Sequence, residues 1–179
     1  PNIQIPAIMT AYRTPSMKTR DSRVLDMISS YLSTGRSSVL YKKMVDDKKM
    51  ALQVGAINLS QEDYGTYILY GLPQGENKLE DLIKEIDEEV VKIQTDLISE
   101  KDYEKLQNQF ENNFVSSNSS VEGIASSLAT YHVLFGDANL INTEIDIYRS
   151  ITREEMREVA KKYLNPNQRL ILEYLPEKK

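Results

Sequence analysis

Between Leu79 and Leu97 the apolar residues recur at helical spacing. Leu79, Leu82, Ile83, Ile86, Val90, Ile93 and Leu97 share one side of a helix about five turns long. Asn77 stands at its N-cap position, with Glu80 three residues on. A stripe of that length is stable only against another apolar layer, so the chain has to supply one. Two runs just upstream fit that need. Met50–Leu59 and Thr66–Leu72 are apolar and rich in β-formers, and the polar turn Ser60-Gln61-Glu62-Asp63 joins them. Their closeness in sequence predicts an antiparallel hairpin.

The remaining elements follow by the same reading. Ile3–Thr14 is a strand, with Pro6 marking its start or an edge position. Thr19-Arg20-Asp21 caps a helix that carries Val24, Leu25, Ile28, Tyr31 and Leu32 on one face, and Gly35 stops it. A short helix over Val39–Asp46 follows, capped by Ser37 or Ser38. Ser99 opens a helix with Tyr103, Leu106, Phe110 and Phe114 inward. The run Ser116–Ser120 bends it, and Ile124, Leu128, Tyr131 and Phe135 resume the spacing. Thr152-Arg153-Glu154-Glu155 is a capping box for a helix with Met156, Val159, Ala160 and Tyr163 inward. Asn165-Pro166 ends it, and Arg169–Leu175 is a final strand. The order β-α-α-β-β, a helical block, then β predicts an α+β fold: an antiparallel sheet covered on one face by helices.

At 179 residues the chain is expected to form one domain, residues 1–179. It opens Pro1-Asn2-Ile3 without an initiator Met, which predicts a piece cut from a longer protein. A net charge of −5 without clustered Lys and Arg argues against a nucleic-acid partner. No apolar run approaches the ~20 residues of a membrane span.

Little catalytic chemistry is on offer. The chain has no Cys and one His, His132, read as a partly buried helix residue. A hydrolytic zinc site takes at least two imidazoles or thiolates among its ligands, so no zinc is expected here. The acidic pairs Asp46-Asp47, Glu62-Asp63, Glu88-Glu89 and Glu154-Glu155 fall on helix faces, turns or caps, where solvated charge is ordinary. The Ser-rich run lacks a nucleophile elbow, and the seven Gly are scattered.

Three segments, in order, resemble the insulinase-like zinc peptidases, the pitrilysin and mitochondrial-processing-peptidase group. Leu25–Tyr41 is similar to that family's helix, glycine break and Ser-Ser-x-Leu-Tyr opening of a second helix. Ser99–Asn108 resembles the start of its long helix. Ile151–Pro166, Ile-Thr-Arg-Glu-Glu-Met-Arg-Glu-Val-Ala-Lys-Lys-Tyr-Leu-Asn-Pro, resembles its C-terminal helix. Such peptidases pair two homologous halves like a clam shell, and one half carries His-x-x-Glu-His and the zinc. The equivalent helix here, Arg23–Leu32, has neither His nor Glu, so the resemblance implies the inactive, metal-free half.

In active members that half supplies an Arg and a Tyr that reach toward substrate, in a pattern like Leu-Tyr-Lys-Glu-Leu-Arg-Glu-Lys-Arg-Gly-Leu-Ala-Tyr. Laid without gaps on Leu40–Leu52, it puts Val45 at the Arg position, Lys49 at the Gly and Leu52 at the Tyr. The resemblance thus implies a non-catalytic domain of a zinc protease, with zinc in a partner catalytic domain and indirect contact with peptide substrate. An apolar surface should stay exposed on the isolated domain, which allows a weak homodimer. The compartment expected from the resemblance is the bacterial periplasm or cell envelope. Two other readings stay open: a structural or assembly subunit of a family-related complex, and an independent enzyme with an unrecognised carboxylate site.

Overall fold

The computed structural model describes residues 5–176. Strand β1 (Ala7–Pro15) leads to helix α1 (Arg20–Ser33), then to a π-helical segment, Tyr41–Asp47. The hairpin β2 (Ala51–Leu59) and β3 (Tyr64–Pro73) follows, and after it the helices α2 (Leu79–Thr95) and α3 (Glu100–Ser117). Helices α4 (Val121–Thr130), α5 (Leu140–Ser150) and α6 (Arg153–Tyr163) come next, and β4 (Arg169–Tyr174) closes the described chain. The sheet is antiparallel in the order β2-β3-β1-β4. This is the α+β fold expected, with the helices on one face.

Strand alternation sets the two faces. Ile8 and Tyr12 of β1, Tyr67 and Leu69 of β3, and Val54 and Ala56 of β2 are buried on the inner face. Against them pack Leu25 and Ile28 of α1, Leu82 and Ile86 of α2, and Met156 and Ala160 of α6. Each buried Leu or Ile contributes about 1.5–3 kcal/mol of transfer free energy, so the stripe of α2 and the inner face stabilise each other. Helices α3, α4 and α5 form an outer group beside α1.

Several ends close as the residues dictate. The Thr19 hydroxyl accepts from the Ser22 amide, and Gly35, at φ 79°, turns the chain after α1. The Ser99 hydroxyl accepts from the Asp102 amide at 3.1 Å. At α6 the capping box is complete. The Glu155 amide donates to the Thr152 hydroxyl at 3.1 Å, and the Thr152 amide donates to the Glu155 carboxylate at 2.8 Å.

Other details depart from the sequence reading. Ile3 and Gln4 of the expected first strand lie outside the described residues. Pro6 precedes β1, but β1 is a central strand and not an edge. The N-cap of α2 is Lys78 with no side-chain bond, because the Asn77 side chain donates to the Gln74 carbonyl instead. Leu97 falls beyond the end of α2 and is exposed. Neither Ser37 nor Ser38 caps the second helix, which widens to π geometry after Leu40. The Ser38 hydroxyl is buried with no partner among the described residues. Helix α5 (Leu140–Ser150) is a separate element within the helical block. His132 is exposed on a second π turn, Tyr131–Phe135, so it is no core residue.

Candidate functional site

Two places carry the candidate chemistry: the bend from the π-helix into β2, and the helix α1. At the bend, Met44 is fully buried and anchors the π-helix to the core. The Lys43 ammonium meets Glu85 at 2.8 Å, Glu88 at 2.9 Å and Glu89 at 2.8 Å, which pins the same segment to α2. Burial alone would raise the carboxyls of Glu85 and Glu89. Hydrogen bonds from Lys43, with Lys48 and Lys92 assisting, outweigh it and hold both below the usual carboxylate range.

The chain then turns through Lys49 at φ 49°, a left-handed conformation that favours glycine. Lys49 stands where the resemblance places a Gly. Val45 is half-buried and packs against the core. Leu52 lies at a β-bulge between Ala51 and Gln53 and is 50% exposed. Neither side chain has a hydrogen-bond donor.

Helix α1 presents a polar set that the sequence reading missed. Arg23 is buried and joins Glu144 of α5 through two bonds of 2.7 and 2.9 Å. One turn on, the Asp26 carboxylate accepts from Asn58 of β2 at 2.9 Å and from the Tyr148 hydroxyl at 3.0 Å. Burial pushes the Asp26 carboxyl above its ordinary value, and these donors only partly offset it. The available signal was two charged residues three apart on a helix that is apolar elsewhere. This set docks α5 on α1 and is no metal site. Among the described residues no group of three His, Cys, Asp or Glu is placed to hold a metal ion. With one His and no Cys in the sequence, the described residues offer no hydrolytic zinc ligand set.

The acidic pairs find ordinary roles. Glu89 is taken up by Lys43 and Lys92, and Glu155 by the cap and by Arg20. Asp46-Asp47 and Glu62-Asp63 are exposed. Among the described residues no helix is long and apolar enough to cross a membrane.

The outer face of the sheet is the unexpected surface. No helix among the described residues covers it, yet most of its residues are apolar, with Arg13, Gln53 and Thr66 the polar exceptions. One row across the strands runs Gly55, Tyr70, Met9, Leu172, and the next runs Ile57, Ile68, Ala11, Leu170. Tyr70 lies across Gly55 so closely that an added Cβ would meet the ring at 2.5 Å, and Gln53 donates to the Tyr70 hydroxyl at 3.1 Å. Met9, Ile57, Leu170 and Leu172 are all exposed. The sequence signal was Thr66–Leu72, where residues of both parities are apolar, as in a strand meant to be covered on two sides.

The chain belongs to the peptidase M16 inactive domain family, whose model matches residues 1–110. It is 29% identical over 126 residues to the zinc protease PqqE of Helicobacter pylori, covering 70% of this chain and 28% of that protein. It is 25% identical over 152 residues to the uncharacterized zinc protease YmxG of Bacillus subtilis, covering 84% of this chain and 37% of that one. The chain thus spans well under half the length of these relatives. In fold it is similar to a protease from Helicobacter pylori, with TM-score 0.90 and 23% identity over 97% of this chain and 42% of the other. It is also similar to an inactive peptidase domain from Bordetella parapertussis, with TM-score 0.85 and 19% identity over 98% and 92% of the two chains.

Proposed function

We propose that this chain is the non-catalytic half of a zinc protease, one domain of a longer protein or assembly. It pairs with a homologous half that carries His-x-x-Glu-His and the zinc. The two close over a peptide, with the open sheet face of this chain forming one wall. The observation that carries the reading is that apolar outer face, in a chain of the inactive-domain family whose curated relatives are zinc proteases. A solvated antiparallel sheet normally alternates apolar with polar, whereas two full rows of this outer face are apolar and only Arg13, Gln53 and Thr66 are polar.

In this reading Val45 and Leu52 occupy the places from which the family's Arg and Tyr address substrate. A Val and a Leu donate no hydrogen bond to a peptide carbonyl or a developing oxyanion, an interaction worth about 3–4 kcal/mol per donor. The domain contributes enclosure and binding surface, and the chemistry belongs to the other half.

The test is to assay peptide cleavage by the His-x-x-Glu-His half with and without this chain. Cleavage should need both, while this chain alone cleaves nothing and retains no stoichiometric zinc after dialysis. Cleavage by this chain alone, or one tightly held zinc per chain, would overturn the assignment. The double substitution Val45→Arg with Leu52→Tyr should leave the rate of the pair unchanged if the domain only encloses. An altered rate with the fold intact would show that these positions reach the substrate.

A further inference from the structure

We infer that the free edge of β4 is a self-association surface, along which two copies of this chain join antiparallel into one continuous sheet. Strand β4 pairs with β1 on one side and has no strand on the other among the described residues. It is also bare. No residue of β4 is buried, and Leu170 and Leu172 are 67% and 50% exposed. Among the described residues its polar tie to the helices is Arg169, which pairs with Asp87 of α2 at 2.9 Å and lies beside the Tyr12 hydroxyl.

An exposed edge strand is usually protected by Lys, Pro or a bulge, because its unpaired backbone groups are a template for another strand. The other edge of this sheet has such protection: β2 begins with a bulge and follows Lys48-Lys49. The β4 segment Arg-Leu-Ile-Leu-Glu-Tyr has no Lys, Pro or bulge, and its two charges, Arg169 and Glu173, lie on the inner side.

The occupant follows from the symmetry of that segment. A twofold axis perpendicular to the sheet pairs inner residues with inner and outer with outer. With the axis at Ile171, Leu170 faces Leu172 of the other copy, Arg169 faces Glu173, and Ile171 meets its own equivalent. Shifting the axis to Leu172 sets Ile171 against Glu173, and shifting it to Leu170 sets Arg169 against Ile171. Of the three, only the axis at Ile171 sets Leu170 against Leu172 and Ile171 against itself, while Glu173 comes beside the Arg169 that Asp87 already holds. That register also carries the outer apolar rows unbroken from one copy into the next, since Leu172 leads to the partner's Leu170 and on to its Ala11. The helices of both copies stay on the same side.

Sedimentation velocity on the 179-residue chain should show a concentration-dependent monomer–dimer equilibrium. Ile171→Lys, which sets two charges together on the axis, should weaken dimerisation by at least about tenfold. Ile57→Lys, on the same sheet but at the opposite edge, should leave it unchanged. Because the chain has no Cys, Ile171→Cys should oxidise to a disulfide-linked dimer faster than Leu172→Cys or Leu170→Cys. A chain that stays monomeric at every concentration would overturn the inference. So would a dimer broken by Ile57→Lys but not by Ile171→Lys, which means association through the sheet face. So would equal cross-linking at all three positions, or a dimer indifferent to both lysines.

Discussion

The two faces of one sheet make the sharpest contrast in this molecule. Residues of β1 and β3 that differ by one position have opposite fates: Ile8, Tyr12, Tyr67 and Leu69 are sealed under helices, while Met9, Ile68 and Tyr70 look outward. Both sets are apolar, so hydrophobicity alone does not tell a core from an interface. What separates them is the covering layer. The inner face owes its burial to α1, α2 and α6 of the same chain. Among the described residues nothing covers the outer face, and its apolar rows are the surface the proposed partner would meet.

The inner face should be costly to damage. Ile86→Ala, at the fully buried centre of α2, should destabilise by about 2–5 kcal/mol in chemical denaturation. A loss under about 0.5 kcal/mol there would erase the contrast, since it would make the stripe of α2 no better packed than a surface site.

A smaller effect is expected where the π-helix is tied to α2. Lys43→Met leaves the carboxylates of Glu85 and Glu89 with Lys48 and Lys92 as their remaining cations, at a cost of about 1–3 kcal/mol at neutral pH. The sign with pH is fixed. Both carboxyls are held below their unfolded values, so the stability from pairing is present above the unfolded carboxylate range and lost as pH falls through the folded values. The difference between wild type and Lys43→Met should therefore shrink in acid. Asp26 runs the other way. Its carboxyl is raised, so wild type should gain stability relative to Asp26→Asn on acidification below neutral pH, measured from paired denaturation curves.

Lys49→Gly should stabilise by about 0.5–1 kcal/mol, because it removes a side chain from a left-handed residue. A loss instead would mean that the Lys49 side chain supports the bend. On the outer face, Ile57→Thr should change stability by under about 0.5 kcal/mol in the isolated chain. A large loss there would mean that the open face belongs to the core after all.

Most of the architecture was legible in the sequence because its signals were local. Thr19 and Thr152 are caps, Gly35 is a stop, and the hairpin announces itself through alternation around a polar turn. The misreadings share a cause: competition between local groups and tertiary ones. The Asn77 side chain found the Gln74 carbonyl before the end of α2, and Ser38 was buried without a partner. Ile124 and Leu128 resume the helical spacing after the Ser-rich bend, yet both are exposed, since periodicity shows that a face is apolar and not what covers it. The Arg23–Glu144 and Asp26–Tyr148 contacts join residues about 120 positions apart, and no spacing rule reaches that far. At the candidate site, the sequence placed Val45 and Leu52 by resemblance alone.

The central claim, that the outer sheet face meets a homologous catalytic half, is tested most directly by chemical accessibility. With no native Cys, Ile57→Cys gives a single reporter on the open face and Asp81→Cys one on the exposed side of α2. Each is alkylated with a small maleimide, with and without the His-x-x-Glu-His half. The expected result is that the Ile57→Cys thiol loses reactivity when the catalytic half is added, while the Asp81→Cys thiol does not. A fully reactive thiol at position 57 beside a protected one at position 81, in a pair that demonstrably binds, would contradict the account and place the partner on the helical side.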